Sequence, residues 1–185
     1  MSTIKRRCFL RAIGSVAVSS PAAANTSRPN ARAPSQLRTF EWFADPLALP
    51  HVSLWDAEGR ETNSSALLGS PLVLNLWATW CAPCIEELPS LRRLADEARG
   101  AFRVVLLNQD RGGMAVARAF LRRHRIEGLG SYADPQGRLY RSLSVRGLPT
   151  TFILQADGVL IGRYEGAAQW DAREVRLFIK RLVQA

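Results

Sequence analysis

Residues 73–89 read VLNLWATWCAPCIEELP, and the hydrophobic period changes inside this stretch. Pro71 opens the nearly unbroken apolar run Leu72–Trp77, which suits a strand covered on both faces. Beyond it Leu88, Leu91, Leu94, Ala95 and Ala98 recur at helical spacing, and Pro89 within that run predicts a kink. Trp80-Cys81-Ala82-Pro83-Cys84 falls where one period gives way to the other. Cys81 is therefore expected at a helix N-terminus, where free backbone N–H groups and the positive dipole end favour an anion. A thiolate is stabilised there, lowering the cysteine's pKa below the free value of about 8.5. Two intervening residues place Cys84 nearly one turn on, close enough to close a small ring. Pro83 costs little in the first turn, because the N–H it lacks would have had no partner.

That placement suggests chemistry. Cys81 can attack a partner disulfide as thiolate, and Cys84 can then attack Cys81 and release the reduced partner; run backwards, the same steps oxidise a dithiol. A static disulfide is the first alternative, but a ring closed by two residues removes little loop entropy and makes a poor staple. A metal site is the second, and with only His51 and His124 besides the cysteine pair, zinc lacks its usual ligand set. No metal and no cofactor are expected.

Outward from the motif, Phe102–Leu107 reads as a second buried strand. Met114–His124 reads as a helix whose inner face carries Val116, Ala119 and Phe120. Strand and helix alternating in this order imply parallel strands joined by right-handed crossovers. Upstream, Val52–Trp55 is a short strand ending in the turn signature Asp56-Ala57-Glu58-Gly59. Downstream, Thr150–Leu154 and Val159–Tyr164 flank Gln155-Ala156-Asp157-Gly158, and Asp-Gly between apolar runs signals an antiparallel hairpin. Trp170–Val183 closes the chain as an amphipathic helix with Val175, Phe178, Ile179 and Leu182 on one stripe. The expected fold class is α/β: a central mixed β-sheet flanked by helices on both faces, in one domain without internal repeats.

Of the 185 residues, 47% are hydrophobic and 22% charged, as in an ordinary globular chain. No apolar run approaches the roughly 20 residues of a membrane span, which excludes a multi-pass transporter. The net charge of +9 suggests nucleic acid at first. Yet Lys5, Arg6, Arg7 and Arg11 fall in a leader, Lys5 and Lys180 are the only lysines, and the arginines are taken to alternate with acids. A solvated arginine-biased surface is the expectation, with no nucleic-acid partner.

The leader covers residues 1–24. Its charged start precedes a short apolar stretch, Ala12–Ser20, and the small residues Pro21-Ala22-Ala23-Ala24, with cleavage expected after Ala24. Arg6-Arg7-Cys8-Phe9-Leu10-Arg11 resembles the twin-arginine export motif; an ordinary secretory signal is the alternative. Cys8 would leave with the leader, so the mature chain keeps Cys81 and Cys84 alone. Residues 25–40, rich in Pro, Ser, Ala, Asn and Arg, are expected to be a flexible linker, and 41–185 the folded domain.

The segment VLNLWATWCAPCIEELP resembles the thioredoxin superfamily, and within it the exported TlpA/ResA-like thiol–disulfide oxidoreductases. A second block, Val145-Arg146-Gly147-Leu148-Pro149-Thr150-Thr151-Phe152, is similar to that family's Gly-x-Pro-Thr-Thr-Phe segment. The likeness covers about residues 47–183 and implies a thioredoxin-like fold. It implies that Pro149 is cis and faces the cysteines, leaving the backbone of Leu148 free to hydrogen-bond a partner segment as an added strand. It also implicates Glu87 in proton handling; the alternative is a solvated helix glutamate beside Glu86 and Arg92–Arg93. Where cytoplasmic thioredoxins carry a proton-accepting aspartate, this chain has Asn75, which does not titrate, so Glu87 is the candidate. Trp80 would form an apolar rim for docking, whereas Trp77 belongs to the core.

Oxidising relatives usually hold a histidine between their cysteines, which Ala82-Pro83 lacks, so the resemblance implies a reductant. It further implies a membrane-embedded thiol as electron donor and periplasmic protein disulfides as targets, either those of an apocytochrome c or those of a copper-site assembly protein. The protein is expected to act as a monomer. A thiol peroxidase would need a threonine where Ala78 stands. A copper(I) metallochaperone, also using two thiolates, and a non-catalytic binding module remain as alternatives.

Overall fold

The computed structural model describes residues 32–126 and 128–184. The leader expected over residues 1–24, with its Arg6-Arg7 motif and Cys8, lies outside the described residues, as do residues 25–31 of the expected linker. The strands are β1 (Glu41–Ala48), β2 (Ser53–Trp55), β3 (Glu61–Asn63), β4 (Leu72–Trp77), β5 (Arg103–Asn108), β6 (Gly130–Ala133), β7 (Thr150–Leu154) and β8 (Val159–Glu165). The helices are α1 (Ala82–Ala98), α2 (Gly113–Arg123), α3 (Arg138–Ser142) and α4 (Arg173–Gln184).

All strands join one sheet in the order β1-β8-β7-β4-β5-β6-β2-β3. β4 pairs in parallel with β5, and β5 with β6, while β4 pairs antiparallel with β7, and β7 with β8. This is the mixed sheet expected, with the hairpin turning through Gly158 at φ 89°. Every residue of β4 is buried, because helices and loops cover both sheet faces. Val73 and Trp77 point into one core with α1, α2 and α4; Leu72, Leu74 and Leu76 point into the other with Leu139 of α3, Leu54 and Leu67. Among the described residues no helix is long and apolar enough to cross a membrane.

Three expectations need correcting. Packing starts inside the stretch expected as linker: residues 35–37 form a 3-10 turn, Leu37 is fully buried and Phe40 stacks edge-on against Phe178 of α4. Gly162 of β8 makes room for this, since a Cβ there would lie 2.5 Å from the Phe40 ring. On α2 the buried residues are Gly113, Met114, Ala117 and Leu121, the last three spaced i, i+3 and i+7, whereas Val116 is exposed. Ala119 is exposed too, while Phe120 packs half-buried against the Trp77 ring as expected; the helix carries apolar residues on more than one face, so periodicity alone misplaced Val116 and Ala119. The arginines also do not alternate with acids here: Arg111, Arg118, Arg122, Arg123 and Arg125 follow one another with no carboxylate between them.

α4 begins at Arg173, three residues later than expected, because Trp170 is held outside the helix by its own hydrogen bonds. If the packing before β1 contributes as its burial indicates, Leu37→Ala costs about 2–4 kcal/mol in urea unfolding. A loss within about 0.5 kcal/mol would show that residues 35–40 add nothing to the domain.

Candidate active site

β4 delivers the chain to the carboxyl edge of its parallel pair, and α1 starts five residues after Trp77. Cys81 is the N-cap of α1, with extended backbone at φ −91° and ψ 96°. Its N–H donates to the Ala78 carbonyl at 3.2 Å, and its own carbonyl accepts from Ile85 at 3.1 Å. The sulfur accepts the backbone N–H of Cys84 at 3.3 Å, so a sulfur takes the place usually held by a capping oxygen. Pro83 fits the first turn, and α1 runs unbroken through Pro89. Cys81 and Cys84 form a disulfide, with Cα atoms 5.3 Å apart. Cys84 has no exposed surface and Cys81 retains 6%, so Cys81 is the more accessible sulfur. Trp80 stands beside them 70% exposed, while Trp77 is wholly buried.

Leu148 packs, half-buried, against the core cluster that contains both cysteines. The Leu148–Pro149 peptide bond is cis. Pro149 offers its carbonyl to Gly166 N–H at 2.9 Å, and Thr150 Oγ1 donates to the Gly147 carbonyl at 2.7 Å. Among the described residues neither the N–H nor the C=O of Leu148 has a backbone partner. The loop leading to it is anchored by Arg163, whose Nη1 donates to the Leu143 and Ser144 carbonyls at 3.2 Å, and by Arg146, which pairs with Glu165 at 3.0 Å.

Glu87 is not a solvated helix glutamate: only 1% of it is exposed. It lies one turn beyond Cys84 and accepts three strong hydrogen bonds. Trp170 Nε1 donates to Oε2 at 2.7 Å, Ala168 N–H to Oε2 at 3.1 Å, and Asn75 Nδ2 to Oε1 at 2.7 Å. Asn75 spends its other N–H on Thr151 Oγ1 at 2.9 Å. Burial raises the Glu87 pKa to about 7, the three donors holding it back from rising further. The carboxyl therefore changes charge near neutral pH, where an exposed glutamate would be fully ionised.

Two features of the site were missed in the sequence. Trp170 was read only as the start of a helix, yet its indole fixes Glu87, and its N–H donates to Ser90 Oγ at 3.1 Å. Asp110 was not singled out at all. It is buried just past β5, where it accepts from Thr79 N–H and Thr79 Oγ1, both at 2.9 Å, and from Asn108 Nδ2 at 2.6 Å. It thus pins the turn that carries Trp80 and Cys81. Its one sequence signal is Asn-Gln-Asp at the carboxyl end of a parallel strand, where sites in open α/β sheets form.

A sequence model of the Redoxin family matches residues 44–176. The thiol-disulfide oxidoreductase ResA of Bacillus thuringiensis subsp. konkukian is 27% identical over 118 residues, 63% of this chain and 67% of that protein. The thiol:disulfide interchange protein DsbE of Vibrio cholerae is 33% identical over 131 residues, 69% of this chain and 68% of that protein. The crystal structure of a Chlorobium tepidum protein assigned as DsbE superposes with a TM-score of 0.63 at 25% identity, covering 74% of this chain and 96% of that one. The fold is thioredoxin-like, and the aligned stretch spans about two thirds of these curated relatives.

The Glu87 environment has a measurable sign. Its folded pKa of about 7 exceeds the ordinary 4.5, so between these values the folded chain holds a proton that the unfolded chain has released. Its contribution to stability is therefore greatest below about pH 4.5 and falls as pH rises to about 7, by roughly 3 kcal/mol. Urea unfolding of the oxidised protein should show this fall, and Glu87→Gln should flatten it. Equal slopes in the two proteins would contradict the assigned environment.

Proposed function

The chain belongs to the Redoxin family and is a thiol–disulfide oxidoreductase, and from that premise we propose that it works in the periplasm as a reductant of protein disulfides. The observation that carries the proposal is the placement of Cys81. Its sulfur caps the helix N-terminus beside Cys84, with a buried carboxyl that titrates near neutrality one turn further along.

In the reducing direction the Cys81 thiolate attacks one sulfur of a partner disulfide, and the partner's other sulfur leaves and takes a proton. A mixed disulfide joins the two proteins. Cys84 then gives its proton to the Glu87 carboxylate and attacks Cys81 Sγ, releasing the partner's second thiol. The chain ends as the Cys81–Cys84 disulfide, and the partner has gained two electrons and two protons. Because Glu87 can be charged or neutral near pH 7, it can take that proton in one step and return it to solvent in another. Asn75 supports this division of labour: unable to titrate, it holds the carboxylate by a single N–H.

Trp80, Pro83, Leu148 and Pro149 form the partner-binding side of the proposal. The exposed indole offers apolar contact, and the unpaired backbone of Leu148 can accept an extended segment as an added strand. Ala82-Pro83 supplies no charge or hydrogen bond that would stabilise the reduced pair further, which favours reduction of partners over their oxidation. In this role the protein is exported by the leader at residues 1–24 and acts as a monomer. It draws electrons from a membrane thiol protein and serves apocytochrome c or copper-site assembly proteins.

Cys81→Ala is expected to lower the disulfide reductase rate by at least about 10³-fold. Cys84→Ala should accumulate mixed disulfides that thiol reductants release, visible on non-reducing gels and identifiable by mass spectrometry. If both variants keep the wild-type rate, the mechanism fails.

A further inference from the structure

The reductase reading uses Trp80 but leaves the face of α2 beside it without a role. Trp80 is 70% exposed, and Val116 of α2 is 41% exposed although the chain has a large core in which to bury it. Two hollows of about 420 Å³ each meet at Val116. One is walled by Trp80 and Arg111, the other by Ala119, Phe120 and Arg123. Arg111 and Arg123 are exposed, and among the described residues neither has a carboxylate partner. No acid occurs from Arg111 to Arg125. The one carboxylate bordering the hollows, Asp110, is committed to Thr79 and Asn108.

An apolar floor with an unpaired guanidinium at each end fits an apolar residue flanked by carboxylates. Tryptophan and arginine are also the residues that most often dominate protein interfaces. The surface adjoins Cys81, since Trp80 precedes it directly, so whatever lies on it is held next to the attacking sulfur. A lipid surface or a nucleic acid lying there would cover the cysteine instead of presenting a disulfide to it. We propose that this face docks an acidic segment, with an apolar residue at its centre, next to the disulfide of a protein substrate. Val116 and Trp80 take the apolar side chain, and Arg111 and Arg123 take the carboxylates. The proposal deepens the reductase reading and rests on it. Docking precedes the exchange already described: the partner's S–S bond breaks, two electrons and two protons pass to it, and the Cys81–Cys84 bond forms.

The test uses protein reduced with dithiothreitol and desalted, and three synthetic peptides. Each peptide carries one intramolecular disulfide of identical spacing beside a leucine, flanked by Glu, Ser or Lys. At about 20 mM NaCl the Glu peptide should be reduced at least about tenfold faster than the Lys peptide, and at about 500 mM the ratio should fall below about threefold as screening sets in. Arg111→Glu combined with Arg123→Glu should invert the preference, whereas Lys180→Glu combined with Arg181→Glu, an equal charge change on α4, should keep it. Equal rates with the Glu and Lys peptides, or a preference untouched by the Arg111/Arg123 pair, would overturn the proposal. So would loss of binding to phosphatidylglycerol vesicles in that pair without any peptide preference in the wild type, which would assign the face to a lipid surface. Failure to reduce even the Ser peptide would overturn the reductase reading itself.

Discussion

A helix that begins inside a protein must find partners for its first N–H groups, and in this chain a sulfur supplies one. Cys81 caps α1 and accepts the Cys84 N–H. Much of the surrounding structure serves to hold that sulfur in place. β4, buried along its whole length, delivers the chain to the sheet's carboxyl edge. Asp110 ties down Thr79 in the connecting turn, and the Ala78 carbonyl receives the Cys81 N–H. The same geometry that satisfies an orphan donor also favours negative charge on that sulfur.

Glu87 shows the opposite relation. A carboxyl this deeply buried is costly when charged, and its three donors offset only part of that cost. The chain nonetheless keeps a titratable group one turn from Cys84 and holds it with Asn75 of β4 and with Ala168 and Trp170 of the loop before α4. Asn75 is central here, because an aspartate in its place would set two carboxylates against each other across 2.7 Å.

The elements nearest the cysteines were legible in the sequence because their signals are local. β4, the cysteine pair at the head of α1 and the Asp157-Gly158 hairpin each declare themselves within a few residues. β1 and β6 were not legible. Most of β1 is exposed and interrupted by Pro46, with a register shift between Trp42 and Leu47. β6 has four residues including Gly130 and no apolar alternation. On α2, Phe120 was read correctly as inward, but Val116 and Ala119 were misread because the helix carries more apolar residues than the core accepts. The ligands of Glu87 could not be read either. Trp170 lies 83 residues along the chain from it, and no local pattern records such a meeting.

The proposed electron-transfer role depends on how readily the Cys81 sulfur ionises. The most direct measurement is the rate of iodoacetamide alkylation of the reduced protein as a function of pH, with the modified residue identified by peptide mass spectrometry. The account predicts a midpoint for Cys81 clearly below the value of about 8.5 of an unstructured cysteine, with Cys84 unreactive at that pH. A midpoint at or above that value, or faster alkylation of Cys84 than of Cys81, would contradict it.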